Sequence, residues 1–192
     1  MLRTHPYEYT YDEDGRLTSD ANKSITAISY NAIGLPSEVK FDDGSSITNC
    51  YSADGMLLQR VHKEPTLTIL PFVNWPIIIN PPRPLYKETT MDYIGPLTFT
   101  SGFKSRIDTP NGFIASGTIQ YYVRDYQGNV RQVTDADGRV EQDNHYYPYG
   151  MLMDESSDII ASARGYSGNS FNPYLYGSKE YLTTGGTNLF YL

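Results

Sequence analysis

Two acidic tetrads are the first candidates for chemistry in this 192-residue sequence: Asp12-Glu13-Asp14-Gly15 and Asp135-Ala136-Asp137-Gly138. Carboxylates at alternate positions ahead of a glycine are how calcium loops begin, but such a loop also needs a bidentate Glu at its twelfth position. Counted from Asp12 that position is Lys23, and from Asp135 it is Tyr146, so neither tetrad can complete a chelate. The same residues suit a tight turn. Asp can accept a hydrogen bond from the backbone two residues on, and Gly takes positive φ without a Cβ clash.

The remaining reactive side chains are His5, His62, His145 and Cys50. The histidines lack zinc-ligand spacing, and a thiol nucleophile needs a base beside it that the sequence does not supply. A single cysteine allows no internal disulfide, and Cys50 reads as a half-buried sheet residue. His145, close to Asp143 in DNHYYPYG, reads as a structural hydrogen-bonding residue. No nucleophile elbow and no glycine loop between strand and helix is visible. The expectation is a protein with no catalytic residue, no cofactor and no metal.

What positions these residues is a repeated phrase: aromatic, X, aromatic, Asp or Asn, two residues, Gly. It occurs as YTYDEDGRL (9–17), ISYNAIGLP (28–36) and, with Ser in place of Asp, NCYSADGML (49–57). Tyr11, Tyr30 and Tyr51 are 19 and 21 residues apart, and Gly15, Gly34 and Gly55 keep that spacing. A period near 20 marks a repeat architecture. Each period holds two strands of about seven residues, roughly 24 Å long, and two turns. Rings two residues apart share a strand face, and the glycine ends a hairpin loop with a bulge. A weakened copy is MDYIGPLTF (91–99). A strong one, YYVRDYQGNVRQVTDADGRVEQDNHYYPYG (121–150), reads as a meander with turns at Gly128 and Gly138 and a further turn glycine at Gly150.

The 18 tyrosines suit half-buried sheet faces, where the ring packs and the hydroxyl stays wet. A net charge of −7 with scattered Lys and Arg argues against nucleic acid, whose phosphates need clustered cations. No run is long enough for a transmembrane helix, and the first ten residues lack the apolar stretch of a signal peptide. Six of the 12 prolines fall within residues 64–86, among Leu67, Phe72, Trp75 and Ile77-Ile78-Ile79. Proline lacks the ladder donor, so residues 64–90 read as an extended strap rather than a central strand. It either packs over a sheet face, docks a partner in a polyproline-like form, or joins two halves. Residues 151–171 read as loop, with one or two helical turns over 156–163, and Ser178 to Leu182 as a short helix.

The phrases YTYDEDGRL, SYNAIGLP, YYVRDYQGNVRQV, DADGRVEQDNHYYPYG and YLYGSKEYLTT resemble the YD-repeat, or Rhs-repeat, proteins, and the second half is similar to their repeat-associated core. The resemblance implies long β-strips that spiral into shells around a variable, often toxic, C-terminal segment, or display it at the cell surface. Measured against that family the sequence is short for a closed shell and lacks an aspartate-proline self-cleavage motif. The expected fold is therefore all-β: repeated hairpins in a curved antiparallel sheet or part of a shell. Residues 1–63 form repeat hairpins, 64–90 the strap, and 91–192 a core-like β region. The expected function is that of a non-catalytic scaffold, cell-surface or secreted by resemblance, whose partner is protein: a second copy or a larger chain of the same type. The alternative is a surface carbohydrate- or protein-binding module using an aromatic face of Tyr121, Tyr122, Tyr146, Tyr147 and Tyr149. That alternative stands if the rings lie exposed in a row and falls if they interlock inside.

Overall fold

A computed structural model describes residues 8–66, 85–153, 172–182 and 189–190. The fold is all-β. Thirteen antiparallel strands pair in sequence order, in a sheet that is not closed. They are β1 (Tyr9–Tyr11), β2 (Leu17–Asp20), β3 (Ile25–Tyr30), β4 (Pro36–Phe41), β5 (Ser46–Tyr51), β6 (Leu57–Thr66), β7 (Leu85–Ile94), β8 (Leu97–Thr100), β9 (Phe103–Thr109), β10 (Gly112–Ala115), β11 (Thr118–Arg124), β12 (Val130–Thr134) and β13 (Val140–Asp143). A separate ribbon pairs β14 (Tyr181–Leu182) with β15 (Leu189–Phe190). The chain divides into two compact units. One comprises Met1–Asp92 with Thr100–Gly102, and the other Tyr93–Phe99 with Phe103–Leu192.

One five-residue loop recurs in both units. In Asp12–Arg16 the first N–H donates to the last carbonyl at 2.9 Å, and Gly15 N–H donates back to the Asp12 carbonyl at 3.1 Å. The same frame closes Asn31–Leu35, Phe41–Ser45, Ser52–Met56, Asp125–Asn129 and Asp135–Arg139. Where the first residue is Asp or Asn, its Oδ1 also accepts two backbone N–H groups. Those of Asp14 and Arg16 lie 3.0 and 2.8 Å from Asp12, and those of Asp137 and Arg139 lie 2.9 and 2.8 Å from Asp135. The Arg16 N–H, aided by its guanidinium, holds the Asp12 carboxyl below the usual carboxylate range. The fourth residue must bend left-handed: φ is 78° at Gly15, 79° at Gly34, 88° at Gly55, 85° at Gly128 and 80° at Gly138. A bulge lies beside each of the loops that follow the repeated phrase, and the residue before the loop pairs with the residue after it: Tyr11 with Leu17, Tyr30 with Pro36, Tyr51 with Leu57; the Phe41–Ser45 loop keeps an unshifted register.

Each unit has its own small apolar core. In the first, Ile25, Phe41 and Ile47 are buried, with Ile28 and Val39 against them. In the second, Phe113, Ala115, Val130 and Val133 are buried, with Tyr122 against them. Polar residues share these interiors. On β5 the alternation turns Ile47 and Asn49 inward. Asn49 donates to the Pro36 carbonyl at 3.0 Å and accepts from buried Arg60 at 3.2 Å. That phase puts Cys50 on the outer face, exposed, rather than half-buried as its sequence context suggests.

Two other expectations change. The ends of the 64–90 segment are strand, not strap. β6 runs through Pro65, which pairs with Tyr86 on β7. The proline is tolerated because β5 stops earlier, at Ser46 opposite Lys63, so the ladder there is one-sided. The apolar stretch from Leu67 through Trp75 to Ile79 lies outside the described residues, as do the helical turns expected over 156–163. Ser178 to Leu182 is not a helix. A 3-10 turn at Tyr176–Ser178 is followed by the bridge of Tyr174 to Glu180 and then by β14.

Glycines divide by what surrounds them. A Cβ on Gly112 would lie 1.9 Å from the Gln120 carbonyl oxygen on β11, whereas one on Gly15 would meet nothing within 4 Å. Gly112→Ala should therefore force β10 from β11 and cost about 3 kcal/mol or more. Gly15→Ala should cost only the left-handed backbone penalty, about 1 kcal/mol. Urea unfolding of the two variants checks the order, and equal costs would contradict it.

Candidate functional site

The tyrosines of the repeated phrase are joined to the preceding turn. The Tyr30 hydroxyl donates to the Leu17 carbonyl at 2.7 Å, Tyr51 to the Pro36 carbonyl at 2.9 Å, and Tyr146 to the Val130 carbonyl at 2.6 Å. In each case the donor stands just before one five-residue loop, and the acceptor just after the previous loop on the same side. The bond therefore ties one hairpin to the next and measures their offset. The guanidinium of Arg16 lies 5.0 Å from the Tyr30 ring centre, and that of Arg131 lies 5.6 Å from the Tyr146 ring centre. Both are contacts of cation–π type.

A second polar assembly lies inside the second unit. Arg106, buried on β9, donates from Nε to Asp108 at 2.6 Å and from Nη2 to Asn172 Oδ1 at 2.9 Å and to the Tyr122 hydroxyl. Its guanidinium stacks 3.6 Å from the Phe113 ring centre and 5.0 Å from that of Tyr174. Tyr122 donates to the same Asn172 oxygen at 2.9 Å. Asn172, fully buried, exchanges backbone bonds with the Gln142 amide at 2.9 and 3.2 Å. Gln142 also reaches Asn144, which donates to the Val130 carbonyl at 3.0 Å. The segment 172–182 is further tied by Gly177 N–H to Asn129 Oδ1 at 2.8 Å and by the Tyr93 hydroxyl to Glu180 at 3.3 Å. This arrangement clasps a returning segment onto the β9–β13 meander. Its donors and acceptors face one another.

The five tyrosines of the expected aromatic face separate into two kinds. Tyr122 and Tyr146 are packed and hydrogen-bonded, and Tyr146 sits edge-on to Tyr176 with ring centres 5.6 Å apart. Tyr121, Tyr147 and Tyr149 are exposed. Tyr149 stands at the tip of the loop Tyr147–Met151, 97 % exposed. That loop keeps the five-residue frame but has no Asp to cap it. Tyr149 (φ 72°) and Gly150 (φ 93°) are both left-handed there. Tyr126, on the Asp125–Asn129 loop, is 96 % exposed.

Of the other candidates, His145 lies 3.3 Å from Asp143 and 3.3 Å from the Arg131 guanidinium. His62 lies 3.5 Å from Glu64, and burial pushes its imidazole below its ordinary pKa. His62 and His145 fall in different units. His5 lies outside the described residues. Arg106, Asn144 and Asn172 drew no notice in the sequence. Arg106 alone gives a signal, a charged residue at an inward phase of β9, which simple alternation treats as a break; Asn144 and Asn172 lie outside the strands.

Two consequences can be measured. Burial raises the phenols of Tyr122, Tyr146 and Tyr174 above the ordinary value of 10.0, Tyr122 to about 12. A phenol shifted upward favours the fold in its neutral form. That contribution is whole below pH 10 and is lost as pH rises from 10 toward 12. The second unit should therefore lose stability over that window, seen as tyrosinate absorbance rising together with loss of β-sheet circular dichroism. Tyr149→Gly should stabilise by about 1 kcal/mol, because a Cβ at positive φ is removed and no packing is lost. A lower unfolding midpoint would contradict the assigned backbone.

No protein-family model matches this chain, and no curated protein matches it in sequence. Solved structures do. A chain of the TcdB2-TccC3-TEV crystal structure superposes with a TM-score of 0.65 at 15% identity, over 94% of this chain and 9% of that one. A chain of the crystal structure of TcdB2-TccC3 gives 0.62 at 16%, over 94% and 9%. A chain of the Photorhabdus luminescens Tc holotoxin pore with the TccC3-D651A mutation gives 0.57 at 15%, over 95% and 11%. This chain thus spans about a tenth of each of those chains, and at these identities the likeness is one of fold: an antiparallel β strip of the kind found in Tc toxin chains.

Proposed function

We propose that this chain is a non-catalytic structural scaffold: a stretch of Rhs/YD-repeat-type wall that extends, closes or presents a larger cell-surface or toxin-associated assembly. The observation that carries this reading is the tyrosine-to-turn bond, repeated at Tyr30, Tyr51 and Tyr146. At each of these three places it fixes one hairpin against the next, which is what a wall built by repetition requires. The likeness to strips within Tc toxin chains about ten times longer supports the same role. Its partner in this reading is protein, and the chain itself performs no reaction.

The exposed rings of Tyr121, Tyr126, Tyr147 and Tyr149 favour a second reading, a surface module that stacks on carbohydrate or on a protein. Holding Tyr149 at positive φ with its ring in water costs stability, which a binding role would explain.

The two readings separate by experiment. For the scaffold, light scattering over a concentration series should show association through sheet edges, since an unpaired strand is a template for another chain. A monodisperse monomer at high concentration would count against it. For the binding module, a glycan array should show retention that Tyr147→Ser and Tyr149→Ser together abolish, and equal retention by the double variant would remove the tyrosines from the account.

A further inference from the structure

We propose that His62 is an acid-sensitive element of the first unit, and that protonation of its ring loosens the pairing of β5, β6 and β7. On β6, His62 pairs with Ile47 of β5 on one side and with Thr89 of β7 on the other. Residues directly opposed across an antiparallel ladder share a face. His62 therefore lies on the inward face beside Ile47, a member of the buried apolar cluster. Its Nδ1 is 3.5 Å from a carboxylate oxygen of Glu64. Its Nε2 is buried, and among the described residues no group stands within hydrogen-bond reach of it. That asymmetry selects the neutral ring with its hydrogen on Nδ1, toward Glu64, and a bare lone pair on Nε2. Protonation adds a hydrogen and part of a positive charge at Nε2, where nothing accepts it. A buried donor without an acceptor costs far more than the same group in water.

The charges around the ring do not offset that cost. On β6 itself, buried Arg60 shares the inward face and opposes a second cation. On β7, Lys87 opposes it too. Glu64 favours the cation, but it faces Lys87 directly across the ladder and its side chain is 51 % exposed, so water and Lys87 share its field. In the loop before β5, Asp43 also favours it, yet its Oδ1 already accepts the Ser45 N–H at 2.7 Å. The Ser45 hydroxyl, buried and without a partner, is not bonded to the ring. Burial outweighs these charges and holds the imidazole below its ordinary value of 6.5. A histidine depressed in this way favours the fold in its neutral form. That contribution is whole above pH 6.5 and is lost as pH falls from 6.5 through the lower folded value. The other described histidine, His145, lies in the second unit with its side chain 46 % exposed, so the loss belongs to the first unit.

The test uses the full chain and two readouts. Proton NMR of the His62 ring should give a titration midpoint below 6.5. Amide hydrogen exchange, read by peptide mass and corrected for intrinsic rates, should show protection over β5 and β6 falling between about pH 7 and about pH 5. The fall should be about threefold or more, and at most about 30-fold, the limit for one histidine of ordinary pKa at the lower pH. Protection over β11 and β12 should stay level. His62→Phe keeps a ring of similar size that cannot titrate, and should abolish the fall, whereas His145→Gln should leave it in place. A His62 midpoint at or above 6.5, an equal loss of protection in both units, or a fall that persists in His62→Phe would overturn the proposal. If His62→Phe does not fold, the ring titration and the local exchange of the unaltered chain decide it by themselves.

Discussion

The hairpins that carry the repeated phrase depend on the closure of a five-residue loop by two backbone hydrogen bonds, which is possible only when its fourth residue is left-handed. The first N–H meets the fifth carbonyl and the fourth N–H meets the first carbonyl, at 2.9 and 3.1 Å in the loop from Asp12 to Arg16. A glycine at that position makes the geometry inexpensive. Once closed, the loop decides which residues face each other across the strands, because register in a hairpin follows from the turn. It also decides where the preceding aromatic points. Tyr30 and Tyr51 stand at a strand's end beside a bulge, Tyr146 stands at the bridge to Leu152, and from there each reaches the neighbouring turn. The capping carboxylates add to this frame without creating it. Asp12, Asp125 and Asp135 each accept two N–H groups, yet Tyr147 and Leu175 head loops with the same backbone frame and no carboxylate. In those loops a second residue becomes left-handed, Tyr149 in one and Gly177 in the other.

Among the described residues the buried apolar clusters are small, and directed polar contacts stand beside them. Among the described residues, Ile25, Phe41 and Ile47 form the buried apolar cluster of the first unit, and Phe113, Ala115, Val130 and Val133 that of the second. Clusters of this size bury too little apolar surface to order long strands by themselves. The tyrosine contacts and the Arg106 clasp do two things at once. Their rings and stems bury hydrocarbon, and their polar ends satisfy backbone carbonyls that would otherwise face the interior unpaired. Arg106 shows the logic. Its charge is matched by Asp108, its flat faces lie against Phe113 and Tyr174, and its remaining donor meets Asn172. A buried network of this kind adds rigidity when every partner is present and becomes a liability when one is removed.

The hairpins were legible in the sequence because their determinants are local. Asp-x-x-Gly fixes the loop, and the aromatic pair before it marks a strand, so the phrase at 9–17 predicts both strand ends. What was not legible depends on phase and on distance. Cys50 reads as half-buried until Asn49 is seen to hold the inward phase through its bonds to Pro36 and Arg60. Pro65 reads as a strand breaker until the earlier end of β5 leaves its side of the ladder open. The clasp joins Arg106 to Asn172 across 66 positions of chain, and nothing in the local pattern of either residue announces the other. Ser178 to Leu182 carries helix-forming residues, but the pairing of Tyr174 with Glu180 closes a further loop there instead.

The tyrosines put the same physics to opposite uses. A phenol can bury its ring and direct its hydroxyl at one carbonyl, which gives packing and register together. Tyr51 and Tyr146 do this within their units, and Tyr122 does it toward a side chain. Tyr149 and Tyr126 instead stand on loop tips with their rings in water. The difference follows from position in the frame. Tyr30, Tyr51 and Tyr146, each just before a loop, find a partner on the neighbouring strand, while Tyr126 and Tyr149, the second and third residues of their loops, project into solvent, where only another molecule could cover them. A repeat built in this way carries one tyrosine position that binds it to its neighbour and another that is left facing outward. The chemistry available to the surface is therefore set by the loop that holds the interior together.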